Sequence, residues 1–465
     1  MNIIEKRAKI NSILLAVVLI AGTFAAVYPS FIIGIQAQSE YEEDHRDYNN
    51  NNNNSYNSAE YPSVEYPPSE YETESYNAVE YPKPSYEYPE YEYESDNQEN
   101  DYYNYPQTKD PRPADIVVPI DFPTIQEAVD AANEGDVIKV LPGTYTEQII
   151  INKSLTIIGS GAKSTIIQAP DVLNPSPVIP FPGRAHIVDI FNEAIVTMKG
   201  FTIAGPSGNI CEGLAGVSIQ EDATLEIDSS AIIGCLREGI LLGLSEFIPI
   251  GPNVGHAVIT NTDIIDYQVV GIQIGGEDTT VVVSNSKVIA ADALEGEDQV
   301  GIFGGIGPKV VIVDNKISGN ICKNPECDPD FSTPFPQPDI PQFPHSGIFL
   351  LDVNQDSIIA GNKVTNNDVG IAVAENSGCC KIENNILSDN RFFGVVVVDG
   401  EHTISNTKIF GGKVGAAAIA ITANTTATLD SVKIVDAEIP VQALSTGNLT
   451  AAVNVISPSF FYLDG

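Results

Sequence analysis

One phrase returns along the second half of this chain: a glycine, a branched aliphatic, any residue, an apolar residue. It reads Gly216-Val217-Ser218-Ile219, Gly239-Ile240-Leu241-Leu242 and Gly271-Ile272-Gln273-Ile274, then Gly301-Ile302-Phe303. It continues as Gly347-Ile348-Phe349-Leu350, Gly370-Ile371-Ala372-Val373 and Gly394-Val395-Val396-Val397. The gaps are 23, 32, 30, 46, 23 and 24 residues, so the unit is 23–24 long and the wider gaps carry insertions. A fixed period of this size means one structural unit per repeat, stacked so that each buries its neighbour's face. No helical periodicity fills the gaps, so each unit is expected to be a rung of short strands joined by turns. The residues one and three after each glycine then point inward as aliphatic ladders, and the residue between them points out. An Asn three residues after a branched residue or Thr runs in step, at Asn285, Asn315, Asn362, Asn385 and Asn406. Asn suits a turn of positive φ, and its amide can bond to the same residue one rung away. The predicted fold class of residues 114–465 is all-β, a right-handed parallel β-helix with an insertion at 320–345.

A helix precedes the coils. Thr124-Ile125-Gln126-Glu127 is a capping box in which Thr124 serves the free N–H groups and Glu127 reaches back. Ile125, Ala128, Val129 and Ala132 share one face, and Gly135 sits where a left-handed residue ends the helix. So short a helix is expected to cover the first open edge of the coil, and Phe460-Phe461-Tyr462 the last.

These residues carry a resemblance. The stretch Thr124–Ala132, Gly135-Asp136, Pro142-Gly143-Thr144-Tyr145 and Asn152-Lys153-Ser154-Leu155-Thr156-Ile157-Ile158-Gly159 resembles the opening of pectinesterases and related pectin lyase-like proteins. The coils after about residue 187 are similar to the β-helix repeats of that superfamily, including the NosD-like group. The resemblance implies the fold over most of residues 114–465. It says little of activity, because the opening serves β-helix proteins of many chemistries. The Asp-Phe-x-Phe-Gly phrase and the groove Trp residues of pectinesterases have no counterpart, since Trp is absent. Copper binding by analogy with the NosD-like group has no support from two Met and five scattered His.

Before the coils stand two unlike segments. Lys6, Arg7 and Lys9 precede an apolar run through Val27 that resumes at Phe31–Ile35, with Ala37 before Gln38. Residues 1–38 read as a secretory signal or an uncleaved membrane anchor, and either places the remainder of the chain outside the cytoplasm. Residues 39–113 hold 15 of the 19 Tyr, and 19 acidic against four basic residues. Without branched aliphatics such a segment cannot offset its ordering entropy, so a disordered, extended spacer is expected. Asn152, Asn424 and Asn448 begin Asn-x-Ser/Thr triplets and are candidate glycosylation sites. The formal charge of −39 argues against a nucleic-acid partner. The partners expected are a surface or extracellular polysaccharide or an envelope protein, with membrane contact only through the N-terminal segment and the chain a monomer.

Candidate chemistry is sparse. Asn261-Thr262-Asp263, with Asp266 close by, resembles the Asn-Thr-Asp phrase of polygalacturonase-type hydrolases, whose paired carboxylates act as acid and base. The competing reading is a polar turn at a rung corner. Phe303 and Phe349, both at outward positions, are candidate glycan platforms, unless the insertion with its Phe331, Phe335 and Phe343 folds over them. Cys211 and Cys235 lie 24 residues apart, one repeat, which sets stacked Cα atoms within disulfide reach. Cys322 and Cys327 sit at the neck of the insertion and can clip it, while Cys379 and Cys380 bond each other or reach that insertion. No cofactor is implied beyond Ca²⁺ at Asp328 and Asp330, two carboxylates of the fuller oxygen set that ion takes. The functional expectation is a surface structural, adhesive or glycan-binding module; the alternative is a carbohydrate-active enzyme.

Overall fold

The computed structural model describes residues 115–178, 184–206, 214–243, 254–291, 299–322, 345–374, 380–411, 417–421, 425–437, 439–443 and 448–456. Residues 1–38, the tyrosine-rich residues 39–113 and Phe460-Phe461-Tyr462 lie outside them. The described residues form 32 strands and one helix, and every strand pairing is parallel. Each circuit contributes three strands, and each strand pairs with its counterpart one circuit on.

The first sheet carries the glycine phrase, through strands such as Leu214–Ile219, Val300–Gly305, Ser346–Leu351 and Val369–Ala374. The second runs through Ala223–Asp228, Gly255–Thr260, Thr280–Ser284 and Lys309–Val313. The third runs through Lys287–Ala290, Lys316–Ser318, Lys363–Thr365 and Ile386–Ser388. Register is kept across the insertions, so Ile302 pairs with Ile348 and Lys316 with Lys363 although 46 and 47 residues separate them. Residues one and three after the glycine, such as Ile272 and Ile274, are fully buried in one continuous core, as the pattern predicts. Each such side chain contributes about 1.5–3 kcal/mol of burial.

The glycine is required by a close approach between rungs. A Cβ on Gly271 would lie 2.5 Å from the Gly301 carbonyl oxygen and 2.6 Å from Val288 Cγ1. The asparagine phrase divides into two roles. Asn285 and Asn406 are corner residues of positive φ, and Asp314, Gly361 and Asn384 take that place on the rungs between. Asn315, Asn362 and Asn385 occupy the next position, buried, where Asn315 Nδ2 donates to Asn362 Oδ1 (3.1 Å) and Asn362 Nδ2 to Asn385 Oδ1 (3.1 Å). Each also donates to a backbone carbonyl of the preceding rung, that of Val283, Ile312 or Ile359. One residue cannot do both, because the left-handed corner turns its side chain outward.

The helix Ile125–Ala131 buries Ile125, Ala128 and Val129 against the first rungs. Thr124 Oγ1 accepts the Glu127 N–H (3.1 Å), as expected of a cap. The N–H groups of Ile125 and Gln126 are met by the Glu147 carboxylate (2.9 and 2.8 Å), a partner that local spacing does not reveal. Gly135 is left-handed, φ +80°, three residues beyond the cap Ala132.

Candidate functional site

Asp263 and Asp266 stand three residues apart in the strand Asp263–Gly275. Asp263 begins a third-sheet strand facing outward, and Lys287 Nζ, one rung on, lies 2.7 Å from its Oδ2. Asp266 is exposed and left-handed, φ +65°, where the register of that strand is interrupted. The two flank Ile264 and Ile265, and Asp263 is paired with Lys287. Asn261, just before them, is an exposed corner residue with φ +47°.

The outward face of the first sheet also departs from expectation. Phe303 and Phe349 stack on neighbouring rungs edge to face, with centroids 5.7 Å apart. They are only 8% and 4% exposed, so they are no glycan platform. With Val270, Val369, Phe393 and Val396 they form a second apolar cluster outside the coil. The sheet is thus buried on both faces over these rungs.

Towards the N-terminal rungs the same outer face turns polar. Ser218, one rung from Leu241, and Asp189, one rung further, continue the column of Phe303 and Phe349. His186, Ala215 and Glu238 share the neighbouring column, which places His186 and Glu238 two rungs, ~9.6 Å, apart. His186 Nδ1 lies 2.5 Å from Asp189 Oδ1, and Ser176 Oγ donates to the same oxygen (3.1 Å). Arg184 Nη1 and Arg237 Nε approach Glu238 Oε1 at 2.9 and 3.4 Å. His186, Asp189 and Glu238 are all buried. Among the described residues, His186 Nε2 and Glu238 Oε2 have no hydrogen-bond partner. A carboxylate that holds Nδ1 fixes the imidazole so that Nε2 can exchange a proton, which is base-type chemistry. The sequence holds a trace of this cluster: Glu238 stands directly before the glycine, where other rungs have Val270, Val300, Val369 or Phe393. Comparing the phrase column by column would have found it.

The neck of the insertion is held by charge. Asp368 Oδ2 accepts the Cys322 N–H (3.0 Å), Arg391 Nη1 donates to the Cys322 carbonyl (2.7 Å), and Arg391 pairs with Asp368 (3.2 Å). His345, where the chain re-enters the coil, is buried; burial first, then the nearby Arg391 cation, pull its pKa down to about 4. Cys322 and Cys380 are each disulfide-bonded. Cys211, Cys327, Cys379, Asp328, Asp330 and Asn424 lie outside the described residues, as do the side chains of Cys235 and Asn448. Asn152 is exposed. Among the described residues no group of three or more His, Cys, Asp or Glu is placed to hold a metal ion.

On the second sheet, burial works against ionisation of Asp228, but hydrogen bonds from Asn261, Lys199 and Ser229 outweigh it and hold the carboxyl at about 2.

Residues 250–434 match the family model of the right handed beta helix region, and residues 119–334 match one described as protein of unknown function (DUF1565). No curated protein matches the chain in sequence. Among solved structures it is similar to the A-module of a mannuronan C-5 epimerase from Azotobacter vinelandii, at 14% identity and TM-score 0.44. That alignment covers 72% of this chain and 95% of the other. An alginate lyase from Paenibacillus aligns at 12% identity and TM-score 0.37, covering 71% and 95% of the two chains. A pectin methylesterase aligns at 13% and 0.34, covering 68% and 81%. The fold is a right-handed parallel β-helix.

Proposed function

We propose that this chain is an extracytoplasmic surface module that binds carbohydrate of the cell envelope. Residues 1–38 supply export or anchorage, residues 39–113 the spacer, and the β-helix the binding surface, in a monomer. Cys211–Cys235 and Cys322–Cys327 are the disulfides this reading assigns. The observation that carries it is the kept register: equivalent side chains recur in file, one rung apart, across insertions of very different length. A polymer of repeating sugars meets the same chemical group at each step along such a surface.

The test is retention of the full chain on purified envelope polysaccharides, with reducing ends, unsaturated uronates and released methanol followed in the same samples. Retention without product is the expected result. No retention on any polysaccharide contradicts the reading.

The buried His186–Asp189 pair, beside a glutamate held by two arginines, favours a second reading as a carbohydrate-active enzyme. That reading requires product, and product lost in Glu238→Gln and in His186→Asn.

A further inference from the structure

The outward face of the third sheet carries a line of cations. Lys287, Lys316 and Lys363 occupy the same strand position on successive rungs, Ile386 follows, then Lys408 and Lys433. All six side chains are exposed. The register places them ~4.8 Å apart per rung, a file of ~24 Å over five steps. Residues 114–465 contain 16 basic residues against 42 acidic, so five of the sixteen stand in one column of a strongly acidic domain.

Folding does not ask for this arrangement. Like charges facing each other across neighbouring strands are destabilising. Lys287 has Asp263 as a partner, whereas among the described residues Lys316, Lys363, Lys408 and Lys433 form no ion pair. The corner before the column is mostly neutral, with Asn285, Asp314, Gly361, Asn384 and Asn406, while Asp389 and Asp436 stand at the corner after it. The face also exposes apolar side chains. Ile386, within the column, and Phe410, two residues beyond Lys408, are each 41% exposed, and no described aromatic is more so.

We infer that this column is a binding site for a linear anionic polysaccharide, with one carboxylate meeting each lysine and sugar rings lying over Ile386 and Phe410. It rests on the reading of the module as a glycan binder and names the charge class of the glycan. The repeat decides between polyanions. Phosphates of duplex nucleic acid advance 3.4 Å per strand step and fall out of phase with the rungs within a few residues. A polyuronate carries one charge per ring and an apolar ring face that phosphate lacks. The remaining charge of the domain keeps weakly matched polyanions away.

The test is binding of the full chain to polygalacturonate, to its fully methyl-esterified form, and to duplex DNA of similar length. Polygalacturonate is expected to bind at least tenfold more tightly than either, and to weaken steeply with added salt. The triple variant Lys316→Ala, Lys363→Ala, Lys408→Ala is expected to lose at least tenfold with an unchanged melting temperature. A control triple at exposed lysines elsewhere, Lys139→Ala, Lys163→Ala, Lys381→Ala, is expected to stay within about twofold. Equal binding of the esterified polymer or of DNA overturns the inference, as does equal loss in the two triples. Retention of neutral glycans alone, untouched by the lysine triple, overturns this inference and leaves the proposed function standing. No binding to any polysaccharide overturns both.

Discussion

The outer faces of the first and third sheets are built on the same rungs and have opposite fates. At Phe303, Phe349 and Val396 the first sheet is closed over and packs like a core. At Lys316, Lys363 and Lys408 the third stands open and charged. A repeat therefore dictates the inside of a coil, where each ladder must fill the same volume, and leaves each outer face to specialise. What separates the two is covering: the first sheet's face holds side chains that gain from burial, and the third's holds side chains that lose by it.

That contrast can be broken by matched substitutions. Phe349→Ala should lower stability by ~3–5 kcal/mol, as expected of a buried aromatic, while Lys363→Ala should change it by less than ~0.5 kcal/mol. Urea unfolding of the two variants measures both. Similar midpoints would show that the first sheet's outer face is not a packed layer.

Next in size is the acid response of the insertion neck. His345 has a folded pKa of about 4, below the ~6.5 of an unfolded histidine. Between those values the unfolded chain binds more protons, so its contribution is whole above pH ~6.5 and lost as pH falls towards 4. Acidification across that window should cost up to ~3 kcal/mol, and a stability–pH profile of His345→Gln should be flatter. A parallel profile would remove the histidine from the account.

Asn362→Ala sharpens the contrast from inside, since it opens a ladder bonded on both sides. It should cost ~1–3 kcal/mol, with faster amide hydrogen exchange at Asn315, whose N–H donates to Asn362 Oδ1, than elsewhere. Smaller again is Lys287→Ala at the Asp263 pair, an exposed bridge expected to be worth less than ~1 kcal/mol.

The coil was legible because its causes are periodic. Gly271, Ile272 and Ile274 repeat for reasons that recur at every rung, so spacing alone placed them. The helix face Ile125, Ala128 and Val129 was legible for the same kind of reason. The asparagine column was half legible: the ladder between Asn315, Asn362 and Asn385 was foreseen, but its separation from the left-handed corner was not. That division depends on which side of one peptide a side chain leaves. The rest is non-local. Glu147 caps a helix from 22 residues away, Arg184 reaches Glu238 across two rungs, and Phe303 is covered from outside its own strand. The site suffered most, because Asp263 was noticed for a phrase, whereas Glu238 is conspicuous only against its column.

The claim beneath all of this is that residues far apart in the chain stand in one file at rung spacing. Nitroxide labels at Lys287 and Lys433, read by double electron–electron resonance, test it most directly. The account predicts a narrow distribution near ~24 Å plus the reach of the labels. A broad distribution, or one centred beyond ~45 Å, would contradict the stacking from which the lysine column and the two faces are derived.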